Sequence, residues 1–205
     1  MAIDAVIFDI GNVLLKFDYY IAANKLLQKN QKSDYPAREA ITTLVLDYES
    51  GRIDRATFIK SVRETFGDEG QDEEFLRIWE NIFEPNDPMV ALLPHFKKRS
   101  RLFLLSNIGC IHQEFIFQQY PFFSHFQDGI YSYRAKHLKP APEIFRLAQQ
   151  TFSVVPEQTL YVDDREENVQ EAANQGFIAL HYDYNRHADF EQELRIRKIH
   201  PCSPE

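Results

Sequence analysis

Four places along the chain carry side chains able to do acid, metal or anion chemistry: Asp9, Ser106 with Asn107, Lys139, and Asp163 with Asp164. Three of them close apolar runs. Ala5-Val6-Ile7-Phe8 ends on Asp9, Leu102-Phe103-Leu104-Leu105 on Ser106-Asn107, and Thr159-Leu160-Tyr161-Val162 on Asp163-Asp164. Short runs of this kind suit strands buried on both faces of a parallel sheet. Open α/β sheets bind ligands outside the carboxyl ends of their strands. The fourth place, His137-Leu138-Lys139-Pro140, puts a lysine in a proline-punctuated loop before a helix. Carboxylates, a hydroxyl and one lysine at one crevice suit an anion held beside a hard cation. Carboxylate oxygens and waters satisfy magnesium, and the lysine and serine can hold a phosphate. Each group alone has a bland reading: an acid capping a loop, a solvated lysine, an acidic pair on a turn. Their repetition at successive strand ends is what points to chemistry.

The elements that must position these groups follow from apolar spacing. Gly11-Asn12 breaks the first strand, since both residues tolerate backbone angles that others avoid. Helical spacing then recurs in Ile41, Leu44, Val45 and Tyr48, and in Phe75, Ile78, Trp79 and Ile82. Asp54 reads as the N-cap of a helix carrying Phe58, Val62 and Phe66. Residues 17–85 therefore read as four helices with no strand between them. Glu84-Pro85-Asn86-Asp87-Pro88 marks a boundary. Beyond it, helix and strand alternate. Strands are expected over Gly129–Tyr133 and Phe177–His181. Helices are expected over Met89–Lys98, from Pro142, over Arg165–Asn174 with Gly176 as cap, and over Asp189–Lys198. This alternation predicts an α/β fold, a Rossmann-like parallel sheet with helices on both faces. Residues 1–16 and 86–199 form the core domain, 17–85 a helical insert over the strand ends, and 200–205 a flexible tail.

Composition bounds the function. The net charge of −8 over 205 residues disfavours nucleic acid, and any anionic substrate must meet local positive charge or a metal. No apolar run reaches membrane-spanning length, and Asp4 and Asp9 interrupt any N-terminal leader. Two well-separated cysteines, Cys110 and Cys202, fit a reducing, cytoplasmic setting. A monomer and a homodimer are both compatible with the sequence.

Phe-Asp-x-Gly-Asn-Val, Leu-Leu-Ser-Asn, Lys-Pro-x-Pro-Glu-Ile-Phe and Val-Asp-Asp-x-x-x-Asn resemble the four ordered motifs of the haloacid dehalogenase-like (HAD) hydrolases. The resemblance covers nearly the whole chain. It implies a sheet in strand order 5-4-1-2-3 with a helical C1 cap. The Asp-x-Gly-Asn-Val form is similar to a phosphatase-like subgroup acting on sugar phosphates and related small metabolites. The resemblance makes Asp9 a nucleophile that becomes an aspartyl-phosphate. Magnesium would be held by Asp9, the Gly11 carbonyl and Asp164. Asp163 and Asn168 would stand behind it, although Asp163 and Asp164 could exchange roles. Ser106 and Lys139 would bind the phosphoryl oxygens, with Gly11, Asn12 and Asn107 lining the substrate.

Two departures stand out. Most phosphatases of the family carry an acid/base aspartate two residues after the nucleophile, where this chain has Gly11. Losing such help typically costs ~10²–10⁴-fold. Asn168 stands where many members have another aspartate. Asp18 and His112 are candidate proton donors, with helix capping and packing as their bland alternatives. A substrate with a good leaving group would need less protonation. Two competing readings are a non-catalytic phosphate-binding or regulatory protein and a metal-free 2-haloacid dehalogenase.

Overall fold

The computed structural model describes residues 3–30 and 35–199, the side chains of residues 35–39 excepted. The expected tail at 200–205, with Cys202, lies outside the described residues. In chain order the elements are β1 (Ala5–Phe8), β2 (Leu15–Phe17), α1 (Tyr19–Lys29), α2 (Tyr35–Glu49), α3 (Arg55–Phe66) and α4 (Asp72–Glu80). Then follow β3 (Phe83–Pro85), α5 (Asp87–Lys97), β4 (Arg101–Ser106), α6 (Cys110–Gln119), β5 (Asp128–Tyr131) and α7 (Ser132–Ala135). The last are α8 (Pro142–Phe152), β6 (Thr159–Asp163), α9 (Glu166–Asn174), β7 (Ile178–His181) and α10 (His187–Ile196).

The main sheet is parallel, in the order β5-β4-β1-β6-β7. Numbering its strands one to five along the chain, this is the expected 5-4-1-2-3 order. β1 lies at its centre, so all four of its residues are buried. Alternation splits them between two cores. Val6 and Phe8 pack with Leu102, Leu104, Leu160 and Val162 on one face. Ala5 and Ile7 pack with Phe103, Leu105, Tyr161, Ile144 and Phe145 on the other.

The helical insert has its own core, in which Phe58, Phe66, Phe75 and Trp79 are at most 1% exposed. Local signals set its helices. Asp54 caps α3 by accepting the Thr57 amide at 2.8 Å, and Gly67 closes it in the left-handed region. One strand, Phe83–Pro85, falls inside the stretch expected to be purely helical, and another, Leu15–Phe17, reaches its first residue. Leu15–Phe17 and Phe83–Pro85 pair antiparallel as a two-stranded ribbon at the insert's entry and exit. Three-residue strands paired across such a sequence separation leave no periodicity to read. The third core strand also ends two residues early, at Tyr131, and the chain turns directly into α7. Among the described residues, no helix is long and apolar enough to cross a membrane.

Candidate active site

Asp9 follows β1 directly, and its amide extends the pairing by donating to the Val162 carbonyl at 2.9 Å. The chain then turns tightly. Asn12 has φ +54°, and the Leu14 and Leu15 amides both return to the Ile10 carbonyl. Ser106 and Asp163 are the last residues of β4 and β6, the strands flanking β1. Lys139 arrives from the α7–α8 loop. Asn107 clamps that loop from both sides, accepting the Lys139 amide at 2.8 Å and donating to its carbonyl at 3.0 Å. Ser106, Lys139 and Asp9 are all buried, at 2%, 4% and 7% exposure.

Lys139 is the electrostatic centre. Its Nζ lies 2.6 Å from Asp163 Oδ2 and 2.9 Å from Asp9 Oδ1. Burial opposes its charge, but Asp163 and Asp9 hold its pKa above the ordinary lysine value. Asp163 also receives the Tyr161 hydroxyl, the Arg165 amide at 2.9 Å and Asn168 Nδ2 at 2.9 Å. Burial works against Asp163, yet Lys139, Tyr161 and the Arg165 amide keep its carboxyl below the usual range. Asp164 is less buried and accepts Asn12 Nδ2 at 3.0 Å. Burial lifts its pKa, with Asn12 opposing and Asp163 adding to the rise.

Asp9 has the least support. Lys139 approaches Oδ1 closely but without the alignment of a hydrogen bond, so that oxygen is ion-paired rather than bonded. Burial raises its pKa to about 7, against Lys139 and with the help of Asp163 and Asp164. One lysine therefore does not balance the carboxylates. Oxygens of Asp9, Asp163 and Asp164 lie within 4.8 Å of one another, a spacing that one metal ion can bridge. The donor set is all oxygen, which suits a hard cation.

The two candidate proton donors have other partners. Asp18 is exposed and caps α1, accepting the Tyr20 amide at 2.8 Å. His112 is 2% exposed, stacks on Trp79 at 5.4 Å and meets the Trp79 carbonyl at 3.0 Å through Nε2. Burial lowers its pKa to about 4 despite that carbonyl, so it is neutral near pH 7.

Sequence reasoning missed Glu49, the last residue of α2. It is buried at 8% exposure, and its Oε1 accepts the Tyr19 hydroxyl at 2.6 Å. One signal was present. An acid in the last turn of a helix opposes the helix dipole, and α2 has no basic residue there. Such a placement needs a reason outside the helix.

A family model for haloacid dehalogenase-like hydrolases matches residues 3–176. A D-ribitol-5-phosphate phosphatase of Bacteroides thetaiotaomicron is 26% identical over 201 residues, covering 93% of this chain and 96% of that protein. Among solved structures, a HAD family enzyme of the same organism superposes with a TM-score of 0.83 at 23% identity, covering 95% of this chain and 100% of the other. A wild-type HAD family enzyme from that organism, in complex with magnesium and inorganic phosphate, superposes at 0.75 with 23% identity, covering 90% and 96%.

Proposed function

We propose that this chain, which belongs to the haloacid dehalogenase-like hydrolase family, is a magnesium-dependent phosphatase of a small phosphorylated metabolite. The carrying observation is Lys139, which stands within ion-pair distance of both Asp9 and Asp163 beside a three-carboxylate cluster. A lysine so placed offers a point charge to a phosphoryl group, and the carboxylates offer oxygens to a cation.

The residues fit magnesium. Asp9, Asp164 and the Gly11 carbonyl would hold it, and the raised pKa of Asp9 marks a site short of positive charge. Bound there, the cation would neutralise charge on the phosphoryl oxygens. The choice of Asp164 over Asp163 rests on their partners. The Asp163 carboxylate is occupied by Lys139, Tyr161, the Arg165 amide and Asn168, whereas the Asp164 carboxylate accepts Asn12 Nδ2. Asp163 then fixes the lysine, and Asn168 steadies Asp163.

In this reading the Asp9 carboxylate attacks phosphorus, the alcohol leaves, and water later opens the aspartyl-phosphate. Lys139 and Ser106 hold the phosphoryl oxygens. Asn107 sets the Lys139 main chain, and Asn12 aims Asp164. Residues 17–85 act as a C1-type cap over the strand ends and carry the specificity. The similarity to the Bacteroides D-ribitol-5-phosphate phosphatase supports a sugar or polyol phosphate as substrate.

The test is a screen of sugar and polyol phosphates with magnesium, run beside an Asp9→Asn control. Hydrolysis of at least one ester by the wild type, absent from the control, is expected. Equal rates for both proteins across the panel would remove the phosphatase reading.

A further inference from the structure

The end of α2 is fastened onto the core at two points. On one side of Glu49, the Tyr48 hydroxyl accepts the Ile111 amide at 2.9 Å and lies 2.9 Å from Cys110 Sγ. The Tyr48 ring lies so close to Gly109 that a Cβ there would sit 2.1 Å from it. On the other side, Gly51 has φ +66°, its carbonyl accepts Lys136 Nζ at 2.8 Å, and a Cβ would meet the Tyr133 carbonyl at 2.3 Å. These anchors lie in the segments that follow β4 and β5, at the carboxyl edge of the sheet. Glu49 is therefore a buried carboxylate set over that edge by neighbours two residues apart or less.

The space beside Gly11 is also filled. A Cβ at Gly11 would lie 2.5 Å from Phe17 Cε1. The Phe17 ring meets Tyr19 edge-on at 5.2 Å, and Tyr19 donates to Glu49. Tyr19 itself packs against both Trp79 and His112, each at 5.6 Å. So the position that would carry an acid/base next to the nucleophile is blocked by an aromatic ring. A neighbouring ring in the same aromatic cluster holds a different carboxylate.

We propose that Glu49, positioned by Tyr19, is the acid/base of this enzyme, delivered from the helical insert in place of a side chain at Gly11. The proposal rests on the phosphatase reading. Its environment suits the task. Burial raises the Glu49 pKa to about 7, Tyr19 opposes, Asp9 adds to the rise, and Lys139 and Arg165 oppose it. The Tyr19 hydroxyl stays protonated, because burial and Glu49 push its pKa well up.

The protons balance across both steps. As the Asp9 oxygen bonds to phosphorus, the phosphorus–oxygen bond to the substrate breaks, and protonated Glu49 gives its proton to the departing alkoxide. The ionised Glu49 then takes a proton from water as that water attacks phosphorus. The bond to Asp9 breaks, hydrogen phosphate departs, and both carboxyl groups return to their starting states. With such a donor, the substrate no longer needs a good leaving group.

The experiment compares Glu49→Gln with wild type on two esters: p-nitrophenyl phosphate, whose leaving group needs no proton, and the best alkyl ester from the metabolite screen. For the alkyl ester, kcat/KM should fall by ~10²–10⁴-fold. For p-nitrophenyl phosphate, kcat/KM should change by less than about tenfold. Its kcat should fall after a burst of one nitrophenolate per enzyme, because water activation is lost. Tyr19→Phe should lower alkyl kcat/KM in the same direction by a smaller factor. Equal losses of kcat/KM for both esters would mean a structural role and overturn the proposal, as would an unaltered Glu49→Gln enzyme. A wild type no faster than Asp9→Asn on every ester would instead overturn the phosphatase reading, and this proposal with it.

Discussion

Lys139 Nζ donates to Asp163 Oδ2 at 2.6 Å, and neither side chain is more than 1% exposed. This pair joins the α7–α8 loop to the end of β6 and turns the lysine toward Asp9. Removing one partner of a buried pair leaves an uncompensated charge, which costs about 3–5 kcal/mol. Lys139→Met should therefore lose stability on that scale in urea unfolding, along with hydrolysis. A loss below about 1 kcal/mol would show the pair to be solvated.

Metal binding should be visible without turnover. The folded-state pKa of Asp9 is raised to about 7 from an ordinary 3.8. A raised pKa favours the fold at low pH, and that contribution is lost as pH climbs through about 7. A cation at the cluster offsets this loss. Magnesium at about 100 times its Kd should add about 2.7 kcal/mol of stability. The rise in Tm should be larger at pH 8 than at pH 5, and should shrink in Asp164→Asn. Thermal melts over pH and magnesium concentration check this.

His112 has the opposite sign. Its pKa is depressed to about 4 from 6.5. A depressed pKa contributes stability above the ordinary histidine value, which is lost as pH falls from about 6.5 towards 4. His112→Gln should flatten the acid limb of the stability curve. The pH profile of kcat/KM should keep its shape, because the ring is buried against Trp79. A profile missing one ionisation would instead place His112 in proton transfer.

Gly11 cannot simply be converted to an acid. Phe17 Cε1 stands 2.5 Å from where a Cβ would go, and its ring is held by Tyr19 at 5.2 Å and Phe83 at 5.9 Å. Gly11→Asp alone should lower Tm and activity. Gly11→Asp with Phe17→Ala should recover part of the loss at Gly11, which side-by-side melts and rates would show.

Tyr48 links the insert to the core through the Ile111 amide. Tyr48→Phe leaves that buried donor unpaired, at a cost of about 1–3 kcal/mol. Unfolding should show this loss, together with a higher KM as the insert docks less tightly.

The core was largely legible because its signals are local. The apolar runs ending at Asp9, Ser106 and Asp163 name both the strands and the residues at their carboxyl ends. Pro142 opens α8 and Asp54 caps α3, as their residue types predict. The β2–β3 ribbon was not legible, since three residues carry no measurable period. The family resemblance put Asn107 and Asn12 beside the substrate. That their side-chain amides bond the Lys139 main chain and Asp164 was not legible in the sequence.

Sequence alone determined an acid at an apolar strand's end, a glycine two residues beyond it, a lysine-bearing loop and an acidic pair. These are properties of residue type and local pattern. Only the tertiary structure decided that Asp163 is the saturated carboxylate and Asp164 the more open one, because hydrogen bonds converge from Lys139, Tyr161 and Asn168. Only it filled the space at Gly11 with Phe17 and buried Glu49 against Tyr19. Such contacts join residues far apart in the chain. They arise from how the insert packs on the sheet, which spacing along one segment does not encode.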